Sequence, residues 1–271
     1  MKNKQHPILY QIIETYTTNI QKELVDRWNL TYSTDNTQYL YEVIIGLLSR
    51  QVSLNIYFAH SPRIWNDDIG TIILRSIVEN IINIKWILHN DSDNRAKLFV
   101  DYGLSQEKLQ IEHTKSQLDQ LEGTDRDKLN DFIERSEKQL NQEKYTFLTD
   151  VNLGSWCGKS IRFIAEEAGL KDFYDQYFVP FSNSAHGTWN HIISYSLKRS
   201  SNPLQQLRRR PIFRDLDTDI KYIELIANFM NYSFEAFDEY FNLTNPSVDS
   251  FKILIKDFNA ALDEKHRESS E

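Results

Sequence analysis

Arg75, Glu79 and Asn83 stand at i, i+4 and i+8 in an otherwise apolar stretch, so in a helix they share one face. Far downstream, Ser182, His186 and Asn190 repeat the same spacing. An arginine holds phosphate through its fork of N–H donors. A histidine near neutral pH takes up or releases a proton, and a glutamate orients the others or accepts a proton. Together Arg75, Glu79 and His186 form a workable catalytic set for metal-independent phosphodiester cleavage. Asn83, Ser182 and Asn190 would contact the substrate, and Trp189 would wall the site from water. Gly187, directly after the histidine, would let a neighbouring backbone or a ligand approach closely. Each set also has a structural reading. Arg75 and Glu79 can be an ion pair on a partly exposed helical stripe, and His186 can be a hydrogen-bonded structural histidine. Charges in an apolar helix need polar company, and Ser182–His186–Asn190 is the best polar line elsewhere in the chain. The expectation is that Arg75, Glu79 and His186 lie within side-chain reach of one another.

Arg208, Arg209 and Arg210, with Lys198 and Arg199 shortly before them, are a candidate substrate-binding patch for RNA or a nucleotide, or else a solvated connector. The chain carries 31 Lys and Arg against 39 Asp and Glu, a net charge of −8. Its summed field repels phosphate, so a general grip on nucleic acid or an anionic membrane is excluded and any such contact has to be local. No Gly-rich phosphate loop and no Gly-x-Ser-x-Gly elbow occurs. Glu112–His113 and His186/His191 lack the spacings of a di-iron bundle or a zinc protease. Cys157 is the single cysteine, which rules out an internal disulfide framework and a multi-cysteine zinc site. Beside Trp156 it reads as packing rather than as a nucleophile. No cofactor and no metal is expected.

The elements that would position these groups are helices. With 8 Gly and 6 Pro in 271 residues, a strand–turn fold is disfavoured. Helical spacing covers residues 8–28, about 37–59 and about 68–89, the last apolar on nearly every side and therefore central. Residues 105–145 hold 10 acidic and 7 basic residues with thinly spaced apolar ones, and read as a projecting antiparallel helical hairpin turning at Gly123–Asp125. A loop over 151–156 leads to a short helix ended by Gly169. Another helix runs from about Pro180 through Leu197, a connector covers 200–216, and two further helices cover about 217–242 and 247–265. The tail, 265–271, is expected to fray. The result is an all-α multi-helix bundle in one domain, 1–271, with the hairpin as an insertion.

The residues Arg75-x-x-x-Glu79-Asn80, Trp156-x-Gly158-Lys159-Ser160-Ile161-Arg162, Ala165-Glu166-x-x-Gly169-Leu170, Tyr174-x-x-Tyr177 and Ser182-x-x-x-His186-Gly187 occur in that order. In them the chain, over about residues 40–240, resembles an uncharacterised family of bacterial helical proteins classed as a domain of unknown function. The resemblance implies an all-helical fold and marks these residues for attention. A weaker analogy is to the HEPN ribonucleases, helical bundles of prokaryotic toxins and phage-defence effectors that carry an Arg and a His on one helix with four to six residues between them. This chain departs from that pattern: Asn80, Ile81 and Ile82 occupy the positions after Arg75 where the histidine would stand.

Three functions compete. The first is a phosphodiesterase or ribonuclease acting as a stress or phage-defence effector. The second is a non-catalytic interaction module, and the third a nucleotide sensor using Arg75 and His186. No apolar run of about 18 residues and no leader with an apolar core is visible, so a cytoplasmic protein without a membrane anchor is expected. Helical surfaces would favour a homo-oligomer.

Overall fold

In the computed structural model, residues 7–31, 38–146, 157–244 and 248–268 are described. Trp156, the loop 151–156 and the last three residues of the tail lie outside them. The central element is α3, Gly70–His89. Its Leu74, Ile77, Val78, Ile81, Ile82, Ile84, Trp86 and Ile87 are buried on several sides. A helix apolar all round has to be wrapped. It is covered by α2, Gln38–Ala59, by α4, Ser92–Lys115, and by α9, Lys221–Phe241. The short α6, Ile161–Glu167, and α7, 171–185, close its remaining sides. The first helix, α1, Pro7–Thr31, packs on α2 and on the last, α10, Ser250–Glu268. Gly70 opens α3 where a Cβ would collide with the carbonyl oxygen of Ile64. None of the described helices is long and apolar enough to cross a membrane.

Polar side chains inside this core are paired, as burial requires. Asn80 Nδ2 donates to Leu47 O at 2.8 Å and to Gln51 Oε1 at 3.0 Å, and Gln51 Nε2 donates to Ser233 Oγ at 3.4 Å. Asn80 therefore fastens α3 to α2 and, through Gln51, to α9.

The helical hairpin is present with different bounds. Its arms are α4 and α5, Gly123–Thr146, so the first arm starts at Ser92 and its beginning also packs on α2. The reversal lies at 116–122, through a short 3-10 turn at Leu118–Gln120, and Gly123 (φ +61°) opens the second helix rather than ending the first. The arms share a separate apolar seam of Leu104, Ile111, Ile133 and Leu140.

The stretch expected as one helix from Pro180 through Leu197 is broken. Helix α7 ends at Ala185, His186 leaves helical geometry at φ −99°, ψ 0°, and Gly187 takes φ +55°. Helix α8, Trp189–Tyr195, then starts anew after Thr188. A positive φ favours glycine because it has no Cβ, and a Cβ added at Gly187 would meet nothing within 4 Å. Gly187 is thus a turning residue, not a point of close helix approach. Leu197, expected at the end of that helix, is instead the first residue of a strand that pairs with part of the connector 200–216. Leu197–Arg199 (β1) pairs antiparallel with Arg209–Pro211 (β2). Three residues per strand are too few to show an alternating pattern in sequence. Helix α10 runs on to Glu268, so 265–268 of the expected frayed tail are helical.

Candidate functional site

Arg75 lies where α3 meets α7. Before Pro180 the α7 helix widens into a π turn, Tyr174–Phe178, with Val179 N–H donating to Tyr174 O. A proline removes an N–H and crowds the preceding turn, and a widened turn accommodates both effects. This places Phe178 beneath Arg75, with Cζ 3.3 Å from the ring centroid. Arg75 Nε donates to Ser182 Oγ at 2.8 Å, and Nη1 donates to Glu79 Oε2 at 2.6 Å. Ser182 in turn donates to Phe178 O at 2.7 Å. The Arg75 side chain is 16% exposed and that of Glu79 45% exposed, so the pair opens to solvent on the acid side.

One turn away, Thr71 Oγ1 donates to Ser184 Oγ at 2.6 Å. The pairings Arg75 with Ser182 and Thr71 with Ser184 fix an antiparallel register. Glu79 and His186 therefore fall on opposite sides of the Arg75–Ser182 contact. His186 is exposed, and its imidazole makes no hydrogen bond among the described residues. The structure joins Arg75, Glu79 and Ser182 and sets His186 apart from them at the end of α7. Asn190, past the break at Gly187, is exposed and makes no side-chain hydrogen bond to Ser182. Trp189 is 58% exposed and shields nothing. Asn83 is half-buried, and its Oδ1, unlike the paired polar groups around Asn80, has no partner among the described residues.

A second polar joint, not foreseen, lies at the start of α3. His191 Nε2 meets Asp68 Oδ1 at 2.8 Å, and the Tyr222 hydroxyl donates to Asp67 Oδ1. Burial, reinforced by the Asp67 carboxylate, raises the Tyr222 phenol well above its ordinary range. The Tyr195 phenol is raised too, by burial and then by Asp67 and Asp68. His191 packs against Tyr195 with ring centroids 4.7 Å apart. This joint anchors α8, and through it the ribbon, on the bundle. Burial inside a tertiary joint is invisible in one-dimensional spacing, so nothing in the sequence distinguished His191 from His186.

The ribbon carries the arginine triplet. Its register sets Lys198 opposite Arg210 and Arg199 opposite Arg209. Both cross-strand pairs are cation against cation. All four residues are exposed, as is Arg208. Arg209 Cζ lies 5.4 Å from the Trp189 ring centroid. Residues 176–214 contain Lys198, Arg199, Arg208, Arg209, Arg210 and Arg214 and no Asp or Glu. That gap, in a chain rich in acids, is the signal in the sequence that extends the basic segment of Lys198, Arg199 and the triplet to Arg214. Phe213, Leu204 and Leu207 are exposed on the same segment at 101%, 93% and 91%. Among the described residues no cluster of His, Cys, Asp and Glu suits a metal ion.

Residues 41–203, more than half of the chain, match the family model described as a family of unknown function, DUF5677. That span runs from α2 into the ribbon loop and includes Arg75, Ser182, His186, Trp189 and Arg199, while the arginine triplet lies past its end. No characterised protein and no solved structure shows a match. The chain belongs to the DUF5677 family, a family of unknown function.

Proposed function

We propose that this protein binds RNA through the cationic ribbon. The observation that carries the reading is the ribbon's register, Lys198 opposite Arg210 and Arg199 opposite Arg209. Like charges directly opposite on neighbouring strands destabilise a sheet, and a two-stranded ribbon has little stability to spare. With no Asp or Glu between residues 176 and 214, nothing local in sequence relieves the repulsion. A phosphate backbone would: each phosphate neutralised releases counterions and adds a salt-dependent increment of affinity. The acidic remainder of the chain confines the polyanion to this surface.

RNA is favoured over other polyanions by His186. The 2′-hydroxyl of RNA is an internal nucleophile, so a protein that cleaves it has only to move protons and orient the phosphate. In that reaction the 2′-hydroxyl gives its proton to His186, and its oxygen attacks the adjacent phosphorus. The bond from phosphorus to the 5′ oxygen breaks, and the leaving oxygen takes a proton from solvent. His186 is an exposed imidazole without a hydrogen bond among the described residues, three residues before Trp189, as a group for this task should be. In this reading Arg75 is a positioning residue: paired with Glu79, it holds Ser182 and so fixes the last turn of α7, which His186 directly follows. Such a protein would serve as an RNA-degrading stress or phage-defence effector.

The test is a titration of a labelled oligoribonucleotide at several salt concentrations. The wild-type protein should bind with a log–log salt dependence that flattens when Arg208, Arg209 and Arg210 are all changed to Ala. His186→Ala should bind as wild type does and release no cyclic-phosphate product. Binding that is absent, or indifferent to the arginines, would sink the proposal.

A further inference from the structure

Neighbouring strand residues alternate between the two faces of a ribbon. Arg199 and Arg209 therefore share one face with Leu197 and Pro211, while Lys198 and Arg210 share the other. The pairing continues past the strand to Ile212, whose N–H donates to Ser196 O at 2.9 Å, and Phe213 follows directly. Trp189 approaches the Arg199–Arg209 face through Arg209. One face thus carries a cation pair beside the exposed ring of Trp189, and the fully exposed Phe213 stands just past the end of the ladder.

We propose that the Arg199–Arg209 face takes a strand of unpaired nucleotides, with a base stacked on Trp189 and the flanking phosphates held by the arginine pair. This rests on the nucleic-acid reading above and restricts it to single strands. In a duplex the base faces are already stacked on one another, and the deep, narrow major groove of an RNA helix admits no side chain. An exposed indole would then have no partner. An unpaired base offers its whole face, every base does so, and arginine beside the ring adds cation–π attraction. Phe213 supplies a second stacking surface further along the same strand.

The experiment compares four probes on the full chain by fluorescence anisotropy: a single-stranded oligoribonucleotide, the same strand annealed to its complement, a single-stranded DNA of the same sequence, and phosphatidylserine vesicles. The single strand should bind at least about tenfold more tightly than the duplex, since each stacked base contributes on the order of 1–3 kcal/mol. Trp189→Ala should reduce that preference several-fold and leave the salt dependence unchanged, and Trp189→Phe should restore it. Changing Arg199 and Arg209 together to Ala should lower the salt slope by about 1.4, at roughly 0.7 per phosphate on a single strand. The ratio of RNA to DNA affinity separates the two sources of unpaired strand, and either result upholds stacking. Equal binding of single strand and duplex, with Trp189→Ala silent, would overturn the stacking proposal and leave backbone binding standing. Vesicle binding lost on changing Leu204 and Leu207 to Ser, with no polynucleotide bound, would overturn both. The Trp189 variants should keep the wild-type melting temperature and the arginine variants should melt no lower than wild type, because the altered side chains are exposed and the arginines face like charges.

Discussion

Arg27 and Arg75 have closely similar surroundings, and they differ in the exposure of their glutamate partners. Each has a glutamate one helical turn away, Glu23 and Glu79 respectively, at 3.0 Å and 2.6 Å. Each lies over a phenylalanine, Phe234 at 4.0 Å and Phe178 at 3.3 Å. Each reaches a second element, Asp238 on α9 or Ser182 on α7. But Arg27 and Glu23 are both 4% exposed, and Glu23 also accepts from Ser250 N–H at 2.7 Å. Glu79 is 45% exposed, and the second partner of Arg75 is a neutral hydroxyl. The first arginine is closed between two carboxylates and ties α1, α9 and α10 together. The second is neutralised only in part, at the edge of the bundle, and leads to the exposed His186 and Trp189. Identical local spacing therefore serves a fastening in one place and the rim of a candidate site in the other. The difference is set by which element lies across from each helix.

The comparison can be broken first at Arg27. Arg27→Ala leaves Glu23 buried and Asp238 partly buried without their cation, and should cost about 3–5 kcal/mol of folding free energy in urea titration. A loss under 1 kcal/mol would show that the network is not sealed. Arg75→Ala should cost less, about 1–2 kcal/mol, because Glu79 returns to water and only the Ser182 contact is left unpaired. An equal loss at both sites would erase the distinction between them.

The third test uses pH. Tyr222 has a folded pKa raised above its unfolded value near 10. The stability linked to it is fully present below pH ~10 and is lost above it, where the unfolded chain ionises first. Tyr222→Phe should therefore make the alkaline fall in melting temperature shallower than in wild type. Tyr16, raised by its burial, keeps part of that fall in both proteins. Unchanged alkaline limbs would remove Tyr222 from the account. The smallest effect concerns the ribbon: Arg209→Ala removes a like-charge pair and should raise stability slightly, by up to about 0.5 kcal/mol, while weakening RNA binding. A destabilised variant would mean that the arginines have intramolecular partners.

Helical content, the central place of α3 and the existence of the α4–α5 hairpin were legible because each rests on periodicity. The apolar faces of a helix recur every three to four residues whatever it packs against. The break at His186–Gly187 was less legible, since the polar line Ser182, His186, Asn190 keeps a helical period across it. A single glycine is tolerated inside many helices, and only the observed φ of +55° shows that this one turns the chain. The ribbon was missed because its strands are three residues long and its pairing joins residues from opposite ends of the connector.

By itself the sequence determined an all-helical chain with α3 at its centre, a charged hairpin of helices, and a cationic segment within an acidic protein. These follow from composition and local spacing, which tertiary contacts do not alter. Only the tertiary structure decided which Arg–Glu pair is sealed and which stays open, that His191 rather than His186 is held by a carboxylate, and that the basic residues stand opposite one another across a ribbon. Burial and cross-strand register depend on what lies across from a residue in space, and the spacing of side chains along one helix or strand carries no record of that neighbour.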